Sequence, residues 1–200
     1  MAVRQLVRGF DALLAQYYGI HEFTDDPDCI IRIALGTAGR DVVLSDGTEV
    51  HADDAVIDLH WWNERLPRIP PQGPDAAWAT AMRRHIMLSL RGLAGHLSSS
   101  PELESVRALR AQIVFGTRVG RAQLVRVARH FGFDLVERQA NLGLAGQLHL
   151  AGDSILLWGL IWAYNPCGLK HKPLLRERSE VWVSRAAFLG QASGTNSRKM

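Results

Sequence analysis

Titratable side chains that could do chemistry lie together in one short apolar stretch. Asp58 and His60 stand two residues apart within Ala55–Trp62, whose residue types favour a β-strand. Alternate side chains of a strand share a face, and their Cα atoms are about 6.6–6.8 Å apart. A carboxylate at that distance can orient an imidazole, directly or through a water, and an oriented imidazole can act as a general base. We therefore expect His60 to be a catalytic base that Asp58 orients.

Three neighbours extend this candidate site. Asn63 and Glu64 follow the predicted strand beside a proline-rich stretch at 65–74, and segments at strand ends often carry ligand-binding groups. We take both as candidate catalytic residues, and Trp62, which shares the face of the histidine, as a candidate substrate-binding residue. A half-buried strand with a polar outer face explains the same pattern, and so does binding without catalysis.

A second candidate segment follows a predicted strand and leads into a predicted helix. Its glycines let the backbone approach a ligand, helix amides favour an anion, and arginine binds phosphate with two hydrogen bonds. We therefore expect an anionic cofactor here, although a solvated surface helix would have the same composition. The predicted cofactor-binding residues are Gly116, Thr117, Arg118, Gly120 and Arg121.

A third segment, residues 154–169, is rich in apolar and aromatic residues. Trp162, Tyr164 and Asn165 could line a substrate pocket for an acyl or lipid group, or they could belong to the core. We expect no metal site, because the His51–Asp54 run matches no standard ligand spacing.

Composition limits the class of protein. The chain has 200 residues, 47% hydrophobic and 22% charged, with two cysteines, which excludes disorder, collagen and a disulfide scaffold. We see neither a membrane span nor a signal peptide, so we expect a cytoplasmic protein, with contact to the inner membrane surface as an option.

Charge is distributed unevenly along the chain. The first hundred residues carry nine Lys and Arg against 13 Asp and Glu, a balance of −4, whereas the second hundred carry 14 against seven, a balance of +7. A basic half favours an anionic small molecule or a lipid headgroup as partner. We do not expect nucleic acid, because the basic residues are not interleaved with aromatic ones.

The predicted elements position these segments. Hydrophobic periodicity and turn signals predict a mixed α+β fold, with an antiparallel-rich central sheet flanked by helices. We expect one domain over 1–190 and a disordered tail over 191–200. The predicted strands are 29–35, 42–44, 48–50, 55–62, 112–115, 133–137 and 180–184, and the predicted helices are 2–18, 75–97, 102–110 and 119–131.

Several runs together resemble the bacterial YkoP-like domain family. They are LSDGTEVHADDAVIDLHWWNERLP, then Trp78 with Arg83 and Arg84, then LLWGLIWAYNPCGL and RERSEVWVSR. Such domains occur alone or attached to polysaccharide deacetylases, so the resemblance implies a bacterial source and a cell-envelope context. It supplies no catalytic residues.

A shorter resemblance concerns residues 120–124 and 128–136, which are similar to the late helix and strand of the GNAT family of N-acyltransferases. In that family a helix ends at a Gly-Phe pair, as at Gly132 and Phe133 here. The resemblance implies a GNAT-like fold, acyl-CoA as cofactor and a carboxylate, a histidine or an ordered water as base.

Two hypotheses follow from these observations. The first is an acyl-transfer-like enzyme that acts on a cell-envelope or lipid precursor, with His60 as base. The second is a non-catalytic module that binds an anionic lipid or glycan carrier as an accessory to envelope polysaccharide metabolism.

Overall fold

The computed structural model describes Gly9, Leu13 and residues 15–115, 128–129, 132–136 and 177–194. Gly9, Leu13 and residues 15–17 are helical, in agreement with the predicted N-terminal helix. The strands are β1 (Ile31–Thr37), β2 (Val42–Val43), β3 (Glu49–Val50), β4 (Ala55–Trp61), β5 (Ala108–Phe115), β6 (Asp134–Val136) and β7 (Glu177–Ser184). The helices are α1 (Ala76–Ser99) and α2 (Arg185–Gly194), and a 3-10 turn spans Pro101–Leu103.

Five of the described strands form one mixed sheet in the order β1-β4-β5-β7-β6. Neighbouring strands are antiparallel except for β4 and β5, which are parallel and are joined by α1. The strands β2 and β3 form a separate hairpin, in which Gly47 takes a φ of 82° that its turn requires. The predicted mixed α+β class with an antiparallel-rich sheet is therefore confirmed.

The sheet carries apolar packing on both faces. One face packs against α1 and α2 through Ile33, Ile57, Leu93, Leu97, Leu109, Val181, Val183 and Phe188. The β2–β3 hairpin covers part of the other face, where the buried side chains are Val42, Leu44, Val50, Val56, Ala108 and Trp182. Further along the strands, this second face carries polar side chains, which include Asp58, His60 and Arg110.

The helix α1 begins at a well-defined cap. A carboxylate oxygen of Asp75 accepts a hydrogen bond of 2.7 Å from the main-chain N–H of Trp78. In the middle of the helix Ser89 is buried, and its hydroxyl accepts a bond of 2.9 Å from the N–H of Ile30. The main-chain oxygen of Ile30 in turn accepts a bond from the N–H of Trp62. Helix α1 therefore fixes the segment that leads into β1, and through it the end of β4.

The segment after Pro101 differs from the sequence prediction. A helix over 102–110 was expected, but the structure has a short 3-10 turn and then β5 from Ala108. Residues of β5 are paired on both sides, with β4 and with β7, so two ladders of main-chain hydrogen bonds override the local helical preference.

The C-terminal helix reaches further than the predicted domain boundary. The tail predicted to begin at 191 overlaps the end of α2, which continues to Gly194.

The turn before β6 has the form expected from its glycine. Ala128 and Arg129 are helical, and their carbonyl oxygens accept hydrogen bonds from the N–H groups of Phe133 and Gly132 respectively. Gly132 has a φ of 74°, a conformation typical of the residue that ends a helix. The predicted helix end and the strand that follows it are therefore present.

Among the described residues, no helix combines the length and apolar character needed to cross a membrane.

Candidate functional site

The end of β4 presents polar side chains on the sheet face that the hairpin leaves partly open. Asp58 and His60 share this face, whereas Ile57 and Leu59 point to the helices. His60 is opposite Arg32 of β1 in the strand register. The candidate base therefore lies at the carboxyl end of one strand of the parallel pair, a location where ligands commonly bind in sheets with parallel strands.

The carboxylate of Asp58 is bound by an arginine of the neighbouring strand. Arg110 Nε and Nη2 donate to the two oxygens of Asp58 over 2.6 and 2.8 Å. The same guanidinium donates to the carbonyl oxygens of Ala38, at 2.9 Å, and Thr37, at 3.4 Å. The hydrogen bond with Asp58 raises the pKa of Arg110. Within the described part of the chain, Asp58 thus bonds to Arg110 and makes no hydrogen bond to His60.

The imidazole of His60 is half-buried and its environment favours the neutral form. Burial lowers the pKa of His60, the charge of Asp58 opposes that effect, and the charges of Arg32 and Arg110 lower the pKa further. Neither ring nitrogen has a hydrogen-bond partner among the described residues. A neutral imidazole with one unprotonated nitrogen can accept a proton from a bound substrate.

The predicted residues after β4 contact one another. Trp62 Nε1 donates to Glu64 Oε2 over 3.0 Å, and the guanidinium of Arg65 lies 3.3 Å from the centre of the Trp62 ring. Only 6% of Trp62 is exposed, and Asn63 in the same turn is half-buried. Arg65 is held in turn by the carbonyl oxygen of Asp26 at 2.7 Å. These contacts connect the residues after β4 to one another, and a role for Trp62, Asn63 or Glu64 in binding or catalysis stays a prediction.

Two residues of β7 extend the polar face. Glu180 accepts hydrogen bonds from Arg40, at 2.7 Å, and from the indole of Trp182, at 3.2 Å. The guanidinium of Arg110 lies 5.1 Å from the Trp182 ring, so it is held by an aromatic face as well as by Asp58. Sequence reasoning did not single out Arg110, although an arginine within the apolar run Ala108–Ala111 is a signal that a buried carboxylate lies nearby.

The remaining candidate residues lie outside the described part of the chain. They are Gly116, Thr117, Arg118, Gly120 and Arg121 of the predicted cofactor segment, and Trp162, Tyr164 and Asn165 of the predicted pocket. Their roles stay predictions. The described residues contain no group of three or more His, Cys, Asp or Glu side chains that could hold a metal ion.

The described fold defines a mixed α+β domain with a polar site at the end of a parallel strand pair. The family model of the YkoP domain matches residues 1–145, and the chain belongs to that family. No curated protein matches the chain, and no solved structure matches it.

Proposed function

We propose that this YkoP domain is an acyl-transfer-like enzyme acting on a cell-envelope or lipid precursor, with His60 as the general base. The observation that carries the proposal is the half-buried imidazole at the carboxyl end of β4, with no hydrogen-bond partner among the described residues. A base must be unprotonated at the working pH and must have a nitrogen available to the substrate. The lowered pKa of His60 supports the first condition, and its ring nitrogens without a partner among the described residues support the second. The Gly132-Phe133 turn followed by β6 adds support, since the similarity to N-acyltransferases includes it.

In the proposed reaction His60 accepts one proton from the acceptor group and later gives it to the departing thiol. His60 takes the proton of an acceptor hydroxyl or amine while that oxygen or nitrogen forms a bond to the carbonyl carbon of a thioester. The carbon–sulfur bond then breaks, and the departing thiol receives the proton back from the imidazolium. The negative charge of Asp58 favours the imidazolium that forms, and the hydrogen bonds from Arg110 to both of its oxygens reduce this effect.

The proposed cofactor is acyl-CoA, with its phosphates bound by the segment from Gly116 to Arg121. The topology supports this assignment, because β5 runs parallel to β4 and both strands therefore end at the same edge of the sheet. The amino end of α1 is a poorer phosphate site. There, the carboxylate of Asp75 already accepts from the N–H of Trp78, and it would repel an anion.

The second candidate function is binding of an anionic lipid headgroup or glycan carrier without catalysis. The +7 balance of residues 101–200 favours an anionic partner whether or not a reaction follows. In this case His60 would be dispensable, and the protein would associate with anionic membrane surfaces in a salt-dependent manner.

The two functions are separated by ligand binding and turnover measured on matched variants. Thermal unfolding is followed with CoA, acetyl-CoA, palmitoyl-CoA, and phosphatidylglycerol in mild detergent, each at two salt concentrations. A ligand at a hundred times its Kd adds about 2.7 kcal/mol to the free energy of unfolding. Release of the CoA thiol is then measured with amine and hydroxyl acceptors for the wild type, for His60→Gln and for His51→Gln, a control at an exposed histidine.

We expect acyl-CoA to stabilise all three proteins and His60→Gln alone to lose turnover, by about 100- to 10,000-fold. Full thiol release by His60→Gln would contradict the assignment of the base. Stabilisation by phosphatidylglycerol that weakens with salt, with no effect of any CoA compound, would favour the binding module instead.

A further inference from the structure

We propose that Arg110 is a positioning residue for His60, which keeps the Asp58 carboxylate from pairing with the imidazole and so favours the uncharged ring that a general base needs. This inference rests on the proposed function only for the role of His60 as base. The effect of Arg110 and Asp58 on proton binding by His60 can be measured on the protein without any substrate.

The geometry of Arg110 supports this role. Its guanidinium contacts both oxygens of Asp58 and the carbonyl oxygens of the last residue of β1 and the residue after it, and it lies against the ring of Trp182. With contacts on several sides, the guanidinium has little freedom to move. A planar, two-pronged arrangement of this kind is specific to arginine, because the ammonium of lysine is a single point charge.

The position of Asp58 explains why it needs to be held by Arg110. We call the paired hydrogen bonds from Arg110 to Asp58 the clamp. Asp58 and His60 share a strand face with Cα atoms about 6.6–6.8 Å apart, so an unclamped carboxylate could turn towards the ring. The clamp also depends on Gly36 of β1, since a Cβ atom there would lie 3.2 Å from Asp58 Oδ2. The structure thus leaves just enough room on β1 for the carboxylate that Arg110 holds.

The charges on the described strands around His60 determine the direction in which its pKa should change when Arg110 is replaced. Arg32 projects from β1, Asp58 from β4, Arg110 from β5, and Glu180 occupies the same face on β7. Without Arg110, Asp58 loses its counter-ion, and the imidazolium of His60, two residues along the same strand face, can take its place. An opposite charge within reach favours the charged form of a histidine, so the pKa of His60 would rise.

The test follows the Hε1 resonance of His60 by NMR as a function of pH, with His60→Gln used to assign the signal. We expect Arg110→Met to strengthen proton binding by His60 by about tenfold or more, which corresponds to about one pKa unit. Arg110→Lys should give a smaller increase in the same direction. Arg107→Met is the matched control, because Arg107 is exposed and its guanidinium donates only to the carbonyl oxygen of Glu49 among the described residues.

A double variant identifies the carboxylate as the cause. In Asp58→Asn with Arg110→Met, proton binding by His60 should return to within about threefold of the wild type, since the unpaired carboxylate is gone. The double variant lacks both charges of the pair, so neither is left without its partner, and this favours folding. An unchanged titration of His60 in folded Arg110→Met or in Arg110→Lys would overturn the proposal, as would a rise that persists in the double variant.

The outcome is independent of the proposed reaction. If His60→Gln retained full turnover, the proposed function would fail, yet the NMR titration would still report whether Arg110 controls the charge state of His60. If the enzyme is active, the acid limb of its pH–rate profile should move to higher pH in Arg110→Lys.

Discussion

Replacing Ser89 by alanine tests how α1 holds the segment that leads into β1. Only 1% of Ser89 is exposed, and its hydroxyl donates to the carbonyl oxygen of His85 over 2.8 Å while accepting from the N–H of Ile30 over 2.9 Å. In Ser89→Ala the carbonyl of His85 keeps its place in the helix, whereas the N–H of Ile30, a fully buried residue, loses its partner.

The expected change in the free energy of unfolding for Ser89→Ala follows from two opposing effects. A buried N–H without a partner costs about 1–3 kcal/mol. Alanine gains about 0.5 kcal/mol over serine in a helix interior. We therefore expect Ser89→Ala to lower the free energy of unfolding by about 0.5–2.5 kcal/mol, and each kcal/mol corresponds to about 2–4 °C in Tm for a chain of this size.

Ser98→Ala is the matched control in the same helix. The hydroxyl of Ser98 also donates to the carbonyl four residues earlier, that of Ala94, at 2.9 Å, but Ser98 is exposed. Alanine there should be neutral or slightly stabilising. Urea unfolding followed by tryptophan fluorescence measures both variants. If Ser89→Ala proved as stable as Ser98→Ala, the N–H of Ile30 would not depend on this hydroxyl and the reasoning would be refuted.

Two further predictions concern a glycine and a pH dependence. Gly132→Ala and Gly47→Ala should each lower the free energy of unfolding by about 1–2 kcal/mol, because both glycines have positive φ. The Cβ added at Gly132 meets only the flexible end of the Gln191 side chain, which can move aside, so it should add little to that loss. Urea unfolding measures both variants, and a loss at Gly132 that falls markedly in a Gln191→Ala background would contradict it. The lowered pKa of His60 means that the unfolded chain binds its proton more readily, so the stability that His60 contributes is complete above the unfolded pKa of about 6.5 and is lost as pH falls. Urea midpoints between neutral and mildly acidic pH should therefore fall less steeply for His60→Gln than for the wild type, and parallel slopes would count against the lowered pKa.

Local signals in the sequence predicted much of the fold. The Asp46-Gly47 pair predicted the hairpin turn, the Pro74-Asp75 pair predicted the start of α1, and Gly132 predicted a helix end. Each signal acts through the conformation of one or two residues, so it can be recognised without knowing what packs nearby.

Elements that depend on distant partners were harder to predict. The segment 102–110 has helix-forming residues, but β5 is formed because strands on both sides pair with it. The helix α2 was not predicted, and it packs on the sheet through Phe188. Both cases show tertiary packing overriding a weak local preference.

The candidate site was likewise predictable where it depends on local sequence and not where it depends on distant partners. Alternation along one strand correctly placed Asp58 and His60 on one face. The partner of Asp58 is Arg110, 52 residues further along the chain, and the pairing of β4 with β5 that brings them together has no local signal. The charge environment of His60 is therefore a property of the sheet order, which the sequence pattern alone does not specify.

The position of β7 in the sheet has a consequence for synthesis of the chain. Although it is the last of the described strands, β7 lies between β5 and β6, and within the described residues β6 pairs with no other strand. The native pairing of β5 with β7 becomes possible only once residues 177–184 have been synthesised, and an unpaired strand edge can pair with other strands. The YkoP match ends at residue 145, so a fragment cut at that limit would lack the strand that completes the sheet. The central sheet of this protein thus extends beyond the region by which its family is recognised.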